Sequence, residues 1–488
     1  MPRSICCVLA LCLAACDDSA EEGPLDIALI GDEESLFAQR RDLPPGARHL
    51  RAATSVGLVA VDQSGQVVPA IAERWIVTDD AMSYIFRLRD TEWPNGEKIT
   101  AEEIERALSL AIDELQGSAL GLDLAKVTEI RAMTGRVVEI RLSGPMPEFL
   151  RLLAQPELGL RRAEVGAGPM IVTRDEDASI ARLELLPPPE GGEPLRAYEQ
   201  ENARALAVRA MPARDAIDAF ARGQVDVLIG GTVANFPMVQ LGPLSRGAIR
   251  VDPTIGLFGL SITQESDLLS NPERREALSM AIDRPELMQS FGLGGWQPTT
   301  WIVPQSLFNP LQYPASRWGA LSIEQRRAIG LARIAAWERS SGVAARVTVG
   351  LPPGPGSDLL FQQLAEAWRT IGVEAVRVDS EDDAELELLD VVASYSSPRW
   401  FLNRFACSLA RAFCSPEADA LVRESLVQRN PLDKQSLLAD AHLELVDDEV
   451  FIPLGAPVRW SLVRGAVSGY EANPWGLHPL FPLSQRTN

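Results

Sequence analysis

The sequence predicts a two-lobed α/β protein, and three observations carry that prediction. Residues 346–349, 359–371 and 373–378 read as strand, helix and strand, the unit from which parallel sheets are built. Further strand-like and helical stretches alternate through both halves of the 488-residue chain, which is long enough for two or three domains. The apolar share of 46% and the charged share of 23% are those of a packed globular chain.

Taken in order, the chain starts with Arg3 and an apolar run over 5–13 that ends in Leu13-Ala14-Ala15-Cys16, followed by polar Asp17, Asp18 and Ser19. That pattern reads as an export signal. The run falls short of the roughly 20 apolar residues a membrane-crossing helix needs. Residues 17–24 are acidic and small, as in a tether. Residues 56–61 alternate around an apolar core and end in the turn-former Ser64-Gly65, and over 83–89 Tyr84, Phe86 and Leu88 alternate with polar neighbours as on a half-buried strand. Thr100 with Glu103 three residues on predicts a capped helix carrying Ile104, Leu108 and Ile112 on one face. Gly166-Ala167-Gly168-Pro169 predicts a turn into a strand. A helix over 215–223, strands over 225–229 and 256–262, and a helix over 273–283 follow. After the strand–helix–strand unit come a buried strand over 388–393, helices around 418–427 and 432–447, and strands over 451–454 and 458–463.

The formal net charge of −21 argues against a nucleic-acid partner, which needs clustered Lys and Arg. Cys6, Cys7 and Cys12 lie in the signal, which leaves Cys407 and Cys414 for the folded part. Two close thiols in an oxidising compartment favour a local disulfide. On one helix face an i, i+7 pair would sit too far apart to bridge, so a free pair is the alternative. His49, His442 and His478 are scattered and no Cys-x-x-Cys exists, so no zinc or other metal site is predicted. There is no phosphate loop, no G-x-S-x-G and no H-E-x-x-H, and no catalytic residue is assigned.

Several ordered stretches carry a family resemblance. They are Leu58-Val59-Ala60-Val61-Asp62, Val68-Pro69-Ala70-Ile71-Ala72-Glu73-Arg74-Trp75, Phe86-Arg87-Leu88-Arg89, Asn95-Gly96-Glu97 and Thr100-Ala101-Glu102-Glu103-Ile104. Later come Gly223-x-Val225-Asp226 and Arg275-x-Ala277-Leu278-x-x-Ala281-Ile282-Asp283-Arg284. Together they resemble the family 5 extracellular solute-binding proteins of ABC importers, which include oligopeptide-, dipeptide- and nickel-binding members. The resemblance implies a periplasmic-binding-protein type II architecture with an extra subdomain in the first lobe. Residues 25–254 would form that lobe, with the subdomain at about 60–165. Residues 255–454 would form the second lobe, and 455–488 would return to the first. It also implies a monomer that catalyses nothing, uses no cofactor and hands a peptide or peptide-like solute to a permease and its ATPase. The alternatives are a degenerate member that serves envelope interaction or sensing, or one that takes a metal complex. Leu13-Ala14-Ala15-Cys16 resembles a bacterial lipobox, which implies cleavage before Cys16, removal of 1–15, and a lipid anchor on Cys16 holding the protein to a membrane outside the cytoplasm.

Peptide-binding members carry an aspartate in a "C-A-D-Y" stretch that pairs with the ligand's ammonium group. The matching stretch here is Val392-Ala393-Ser394-Tyr395, with serine in place of the acid. Either the ligand lacks a free amino terminus, or another carboxylate serves it, or the match is shifted by a residue or two. Ser394, Tyr395, Arg399, Trp400 and Asn403 are the candidate ligand-binding residues, with Phe258, Trp301 and Trp460 as further candidates; Arg399 would meet a ligand carboxylate or phosphate, with a surface arginine as its alternative, and each aromatic has a core role as its alternative. Leu186-Pro187-Pro188-Pro189 replaces the family's "N-P-x-Y-W" segment, and Met170 replaces a usual aromatic.

Overall fold

The structure, a computed structural model, describes residues 23–486 except 39, 164, 175–179, 187–202, 240–246, 309–316, 380–382 and 410–411. The signal run, Cys16 and Pro187-Pro188-Pro189 lie outside the described residues. Two mixed sheets organise the chain. The first has seven strands in the order Met170–Arg174, Ile180–Leu185, Leu206–Met211, Leu25–Ile30, Val227–Gly231, Arg459–Val463 and Ile249–Asp252. Leu25–Ile30 is parallel to both of its neighbours. The second has five strands in the order Glu374–Val378, Arg346–Gly350, Leu386–Val392, Gly256–Ile262 and Phe451–Gly455.

The strand–helix–strand unit forms as its pattern predicts: Arg346–Gly350, helix Pro355–Arg369 and Glu374–Val378, with the two strands parallel. Leu360, Leu364 and Trp368 point from that helix into the second lobe's core, where Trp368 donates its indole N–H to Leu278 O at 3.0 Å. The chain passes between the sheets twice, from Ile249–Asp252 to Gly256–Ile262 and from Phe451–Gly455 to Arg459–Val463. The two connections are tied side by side, because Thr254 Oγ1 donates to Pro457 O. This is a two-lobed fold with a double crossover, and a crossover of short extended segments is a natural hinge.

A third unit is inserted after the first strand. Its antiparallel sheet runs Ala72–Val77, Ser83–Leu88, Val137–Leu142, Val127–Met133. Tyr84, Phe86 and Leu88 are buried and Ile85 and Arg87 are less so, which is the alternation their spacing predicts. Helix Ala101–Glu114 covers the sheet, and Thr100 Oγ1 accepts from Glu103 N at 3.2 Å. Only this half of the capping box forms as expected. The Glu103 carboxylate accepts from Trp93 Nε1 at 3.2 Å and from Arg162 Nε at 2.5 Å, so it joins three segments of the subdomain.

Cys407 and Cys414 are joined by a disulfide with Cα atoms 5.1 Å apart. The helical spacing that would have kept them apart does not arise, because Cys407 lies in a short 3-10 turn and Cys414 precedes helix Pro416–Val427. All three histidines are buried in packed surroundings, and no metal-ligand cluster exists among the described residues. Burial first, then the neighbouring His478, pushes the His49 pKa down to about 3; burial alone does the same to His442. Both are neutral bases in the fold and take up protons on unfolding below the ordinary histidine range. Stability is therefore predicted to fall with pH from about 6.5 toward 3, each histidine adding a slope of up to roughly 1.4 kcal/mol per pH unit. His442→Phe should remove one such contribution in urea titrations at pH 6, 5 and 4; an unchanged slope would refute this assignment.

Candidate functional site

A cavity of about 640 Å³ lies where the two lobes and the subdomain meet. That volume is in the range of sites for small molecules, roughly 300–1,000 Å³. The body of the first lobe supplies the segment from Arg41 to His49 and the C-terminal stretch Trp475-Gly476-Leu477. Its subdomain supplies Leu115, the turn from Gly117 to Leu120, Gln155 and Glu157. The second lobe supplies the end of strand Leu386–Val392, then Ser394, Trp400, Arg404 and Leu409, and Arg459 comes from just beyond the crossover.

Each wall is fixed by buried contacts. Arg151 donates to Gly65 O at 2.8 Å, stacks 4.4 Å from the Trp475 ring and reaches Ser394 O at 3.3 Å. Burial, then repulsion from Arg48, pulls its guanidinium down to about 9, still protonated at neutral pH. Gly65 sits at φ +79, and a Cβ there would meet Trp475 Cδ1 at 2.6 Å, so the hairpin turn needs glycine to seat that indole. The segment carrying Trp475 is held by Asn473 N donating to Asp252 Oδ1 at 3.0 Å and by His478 Nε2 at 3.0 Å from Asp252 Oδ2. Opposite charges on the walls are matched: Arg459 with Asp390 at 2.7 Å, and Arg48 with Glu157 at 3.0 Å.

Of the residues singled out in the sequence, Ser394 and Trp400 line the cavity. Tyr395, Arg399 and Asn403 stand one layer behind it and converge on the subdomain. The Asp123 carboxylate, fully buried, accepts from Tyr395 Oη at 3.0 Å, Asn403 Nδ2 at 2.8 Å and Arg404 at 3.0 Å. Arg399 donates to Leu122 O at 3.2 Å and Asp123 O at 2.7 Å, satisfying carbonyls at the end of helix Ala119–Leu124. Burial raises the Tyr395 phenol well above its usual range, so it is a neutral donor.

The further candidates Phe258, Trp301 and Trp460 are core residues instead. Phe258 packs edge-on to Trp296 at 5.4 Å, Trp301 lies 5.7 Å from His442, and Trp460 donates to Thr232 O at 2.9 Å. None of the three lines the cavity, and all three belong to the buried apolar clusters. The first-lobe wall went unseen in the sequence. Arg41, Arg48, Glu157 and Trp475 become neighbours only through tertiary folding, and no local spacing marks them.

Asp123→Ala leaves three buried donors without an acceptor, a change that costs about 3–5 kcal/mol where a buried pair is broken. Denaturant melts should show that loss, and Asp123→Asn, which keeps one acceptor oxygen, should lose less. Equal stability of wild type and Asp123→Ala would remove Asp123 from the interlobe contact.

The family described as "Bacterial extracellular solute-binding proteins, family 5 Middle" matches residues 66–407. The probable di/tripeptide-binding protein 5 of Pseudomonas aeruginosa (strain UCBPP-PA14) is 23% identical over 474 residues, covering 84% of this chain and 86% of its own. Haemophilus influenzae OppA in complex with RPPGFSPFR superposes with a TM-score of 0.81 at 17% identity, over 95% of this chain and 99% of that one. The Escherichia coli murein tripeptide binding protein MppA gives 0.81 at 18% identity, over 96% and 99%. With its double crossover and its interlobe cavity, the chain belongs to the family 5 extracellular solute-binding proteins of ABC transporters.

Proposed function

We propose that this protein captures a peptide or peptide-like solute between its lobes and delivers it unaltered to the membrane permease of an ABC importer. The cavity carries this reading, because its walls come from both lobes and from segments flanking the crossover. A ligand seated there touches every moving part, so it binds the closed form better than the open one and shifts the equilibrium toward closure. The second lobe also offers a backbone edge. Strand Leu386–Val392 pairs with Gly256–Ile262 along its length, whereas among the described residues its other edge is paired with Arg346–Gly350 only at Leu386 and Glu387. Leu389 to Val392 line the cavity, in position for a ligand backbone to extend the sheet. Relatives named for di- or tripeptides and oligopeptides support the peptide class.

Delivery is proposed to take place at a membrane surface outside the cytoplasm, with the chain held by acyl groups on Cys16. The Cys407–Cys414 disulfide supports an oxidising compartment. Cys16→Ser should move the protein from the membrane to the soluble fraction; retention on membranes would refute the anchor.

Thermal unfolding with defined di- and tripeptides tests the capture reading. A peptide at about a hundredfold excess over its Kd stabilises the folded state by about 2.7 kcal/mol. The bound peptide should be recovered intact. Absence of any shift across the peptide set, or recovery of a cleaved product, would overturn the proposal.

A further inference from the structure

The two lobes also meet at a place that contributes nothing to the cavity wall, where glycines of the second lobe press on the backbone of the first. Helix Pro355–Arg369 lies between the parallel strands Arg346–Gly350 and Glu374–Val378 of the second sheet. Strand Val227–Gly231 of the first sheet runs into a turn over 232–238. Gly356, at the start of the helix, donates its N–H to Ala234 O in that turn at 2.8 Å. None of these residues lines the cavity.

The first N–H groups of a helix have no acceptor inside it. Here the first intrahelical bond runs from Asp358 N to Gly354 O at 3.1 Å, so Gly356 takes its acceptor from the other lobe. That acceptor is firmly placed. Thr232 N donates to Asn235 Oδ1 at 2.9 Å, and Trp460 Nε1, just beyond the second crossover connection, donates to Thr232 O at 2.9 Å. Val233 is buried in the apolar cluster that also contains Leu360 and Leu364 of the helix.

Only residues without a Cβ allow this approach. A Cβ on Gly356 would overlap Val233 O and lie 2.9 Å from Ala234 O, and one on Gly354 would overlap Ala234 O. The obstacles are main-chain atoms, which cannot swing aside as a side-chain tip can, so relief requires the lobes to shift. Gly354, at φ +148, also uses the backbone freedom of glycine. Gly356 does not: it is helical, and a helix by itself favours alanine over glycine. Its glycine is explained by the facing lobe.

We propose that Gly354 and Gly356 form a latch, in which the start of the helix docks on the 232–238 turn and the missing side chains set how closely the two lobes approach. This contact is separate from the one at Asp123, which involves the subdomain. It holds whatever solute the cavity takes.

Amide exchange and small-angle scattering on the ligand-free full chain test the latch, with wild type, Gly356→Ala and Gly330→Ala. Gly330 is the control: it is a crowded helical glycine inside the second lobe, where a Cβ would come 3.0 Å from Ile371 Cγ2. In wild type the Gly356 amide should exchange at least about tenfold more slowly than an unstructured amide, because the docked turn supplies its acceptor. Gly356→Ala should enlarge the radius of gyration by about 1 Å over the roughly 23 Å of a compact chain this long, and Gly330→Ala should leave it unchanged. An unprotected Gly356 amide in wild type overturns the latch. So does a folded Gly356→Ala variant whose scattering superimposes on wild type, or an equal enlargement by Gly330→Ala. Should Gly356→Ala fail to fold, the wild-type exchange rate still decides.

Discussion

A single buried carboxylate ties the subdomain to the second lobe. Asp123 sits at the end of a short subdomain helix, and every group that satisfies it comes from the second lobe: a phenol, an amide and a guanidinium on the side chain, a second guanidinium on the main chain. Beside this contact, the turn from Gly117 to Leu120 shares the wall of the cavity with Trp400 and Arg404. Around it the buried apolar cluster is continuous from Leu124, Met146 and Phe149 of the subdomain to Trp400, Phe405 and Leu438 of the second lobe. Opening the lobes must therefore return a charge and apolar surface to water. A contact of this kind sets how much free energy a ligand must add to keep the lobes shut.

Lys126 lies at the same seam. Its ammonium donates to Pro145 O at 3.1 Å, and Lys434 of the second lobe reaches the same carbonyl at 3.4 Å. Burial, followed by repulsion from Lys434 and Arg399, lowers the Lys126 pKa to about 7. Two of the chain's three lysines thus meet across the interface and oppose the attraction that Asp123 supplies. Closure is a balance of buried charges.

Much of the fold is legible in the chain because its signals are local. The Tyr84, Phe86 and Leu88 alternation, the Thr100 cap and the parallel unit around Pro355–Arg369 are each fixed within a few residues of sequence. The longest helix among the described residues, Ile323–Ser341, gives no such periodic signal. Only Gly330 and Ile334 are buried along it, so it lacks the apolar stripe that periodicity detects. The site divides on similar lines. Ser394 and Trp400 stand out because one continuous stretch carries them, and Tyr395, Arg399 and Asn403 stand out with them although they serve the interlobe contact. Asp123 gives no signal, as an acid in a short helix is ordinarily solvated. Its role appears only when residues some 270 positions away fold onto it.

Small-angle X-ray scattering of the ligand-free protein and of Asp123→Ala tests this account most directly. A compact chain of this length has a radius of gyration of about 23 Å. The account predicts that wild type lies near that value and that the folded variant is measurably larger as its lobes part. Superimposable scattering curves for the two proteins would contradict it.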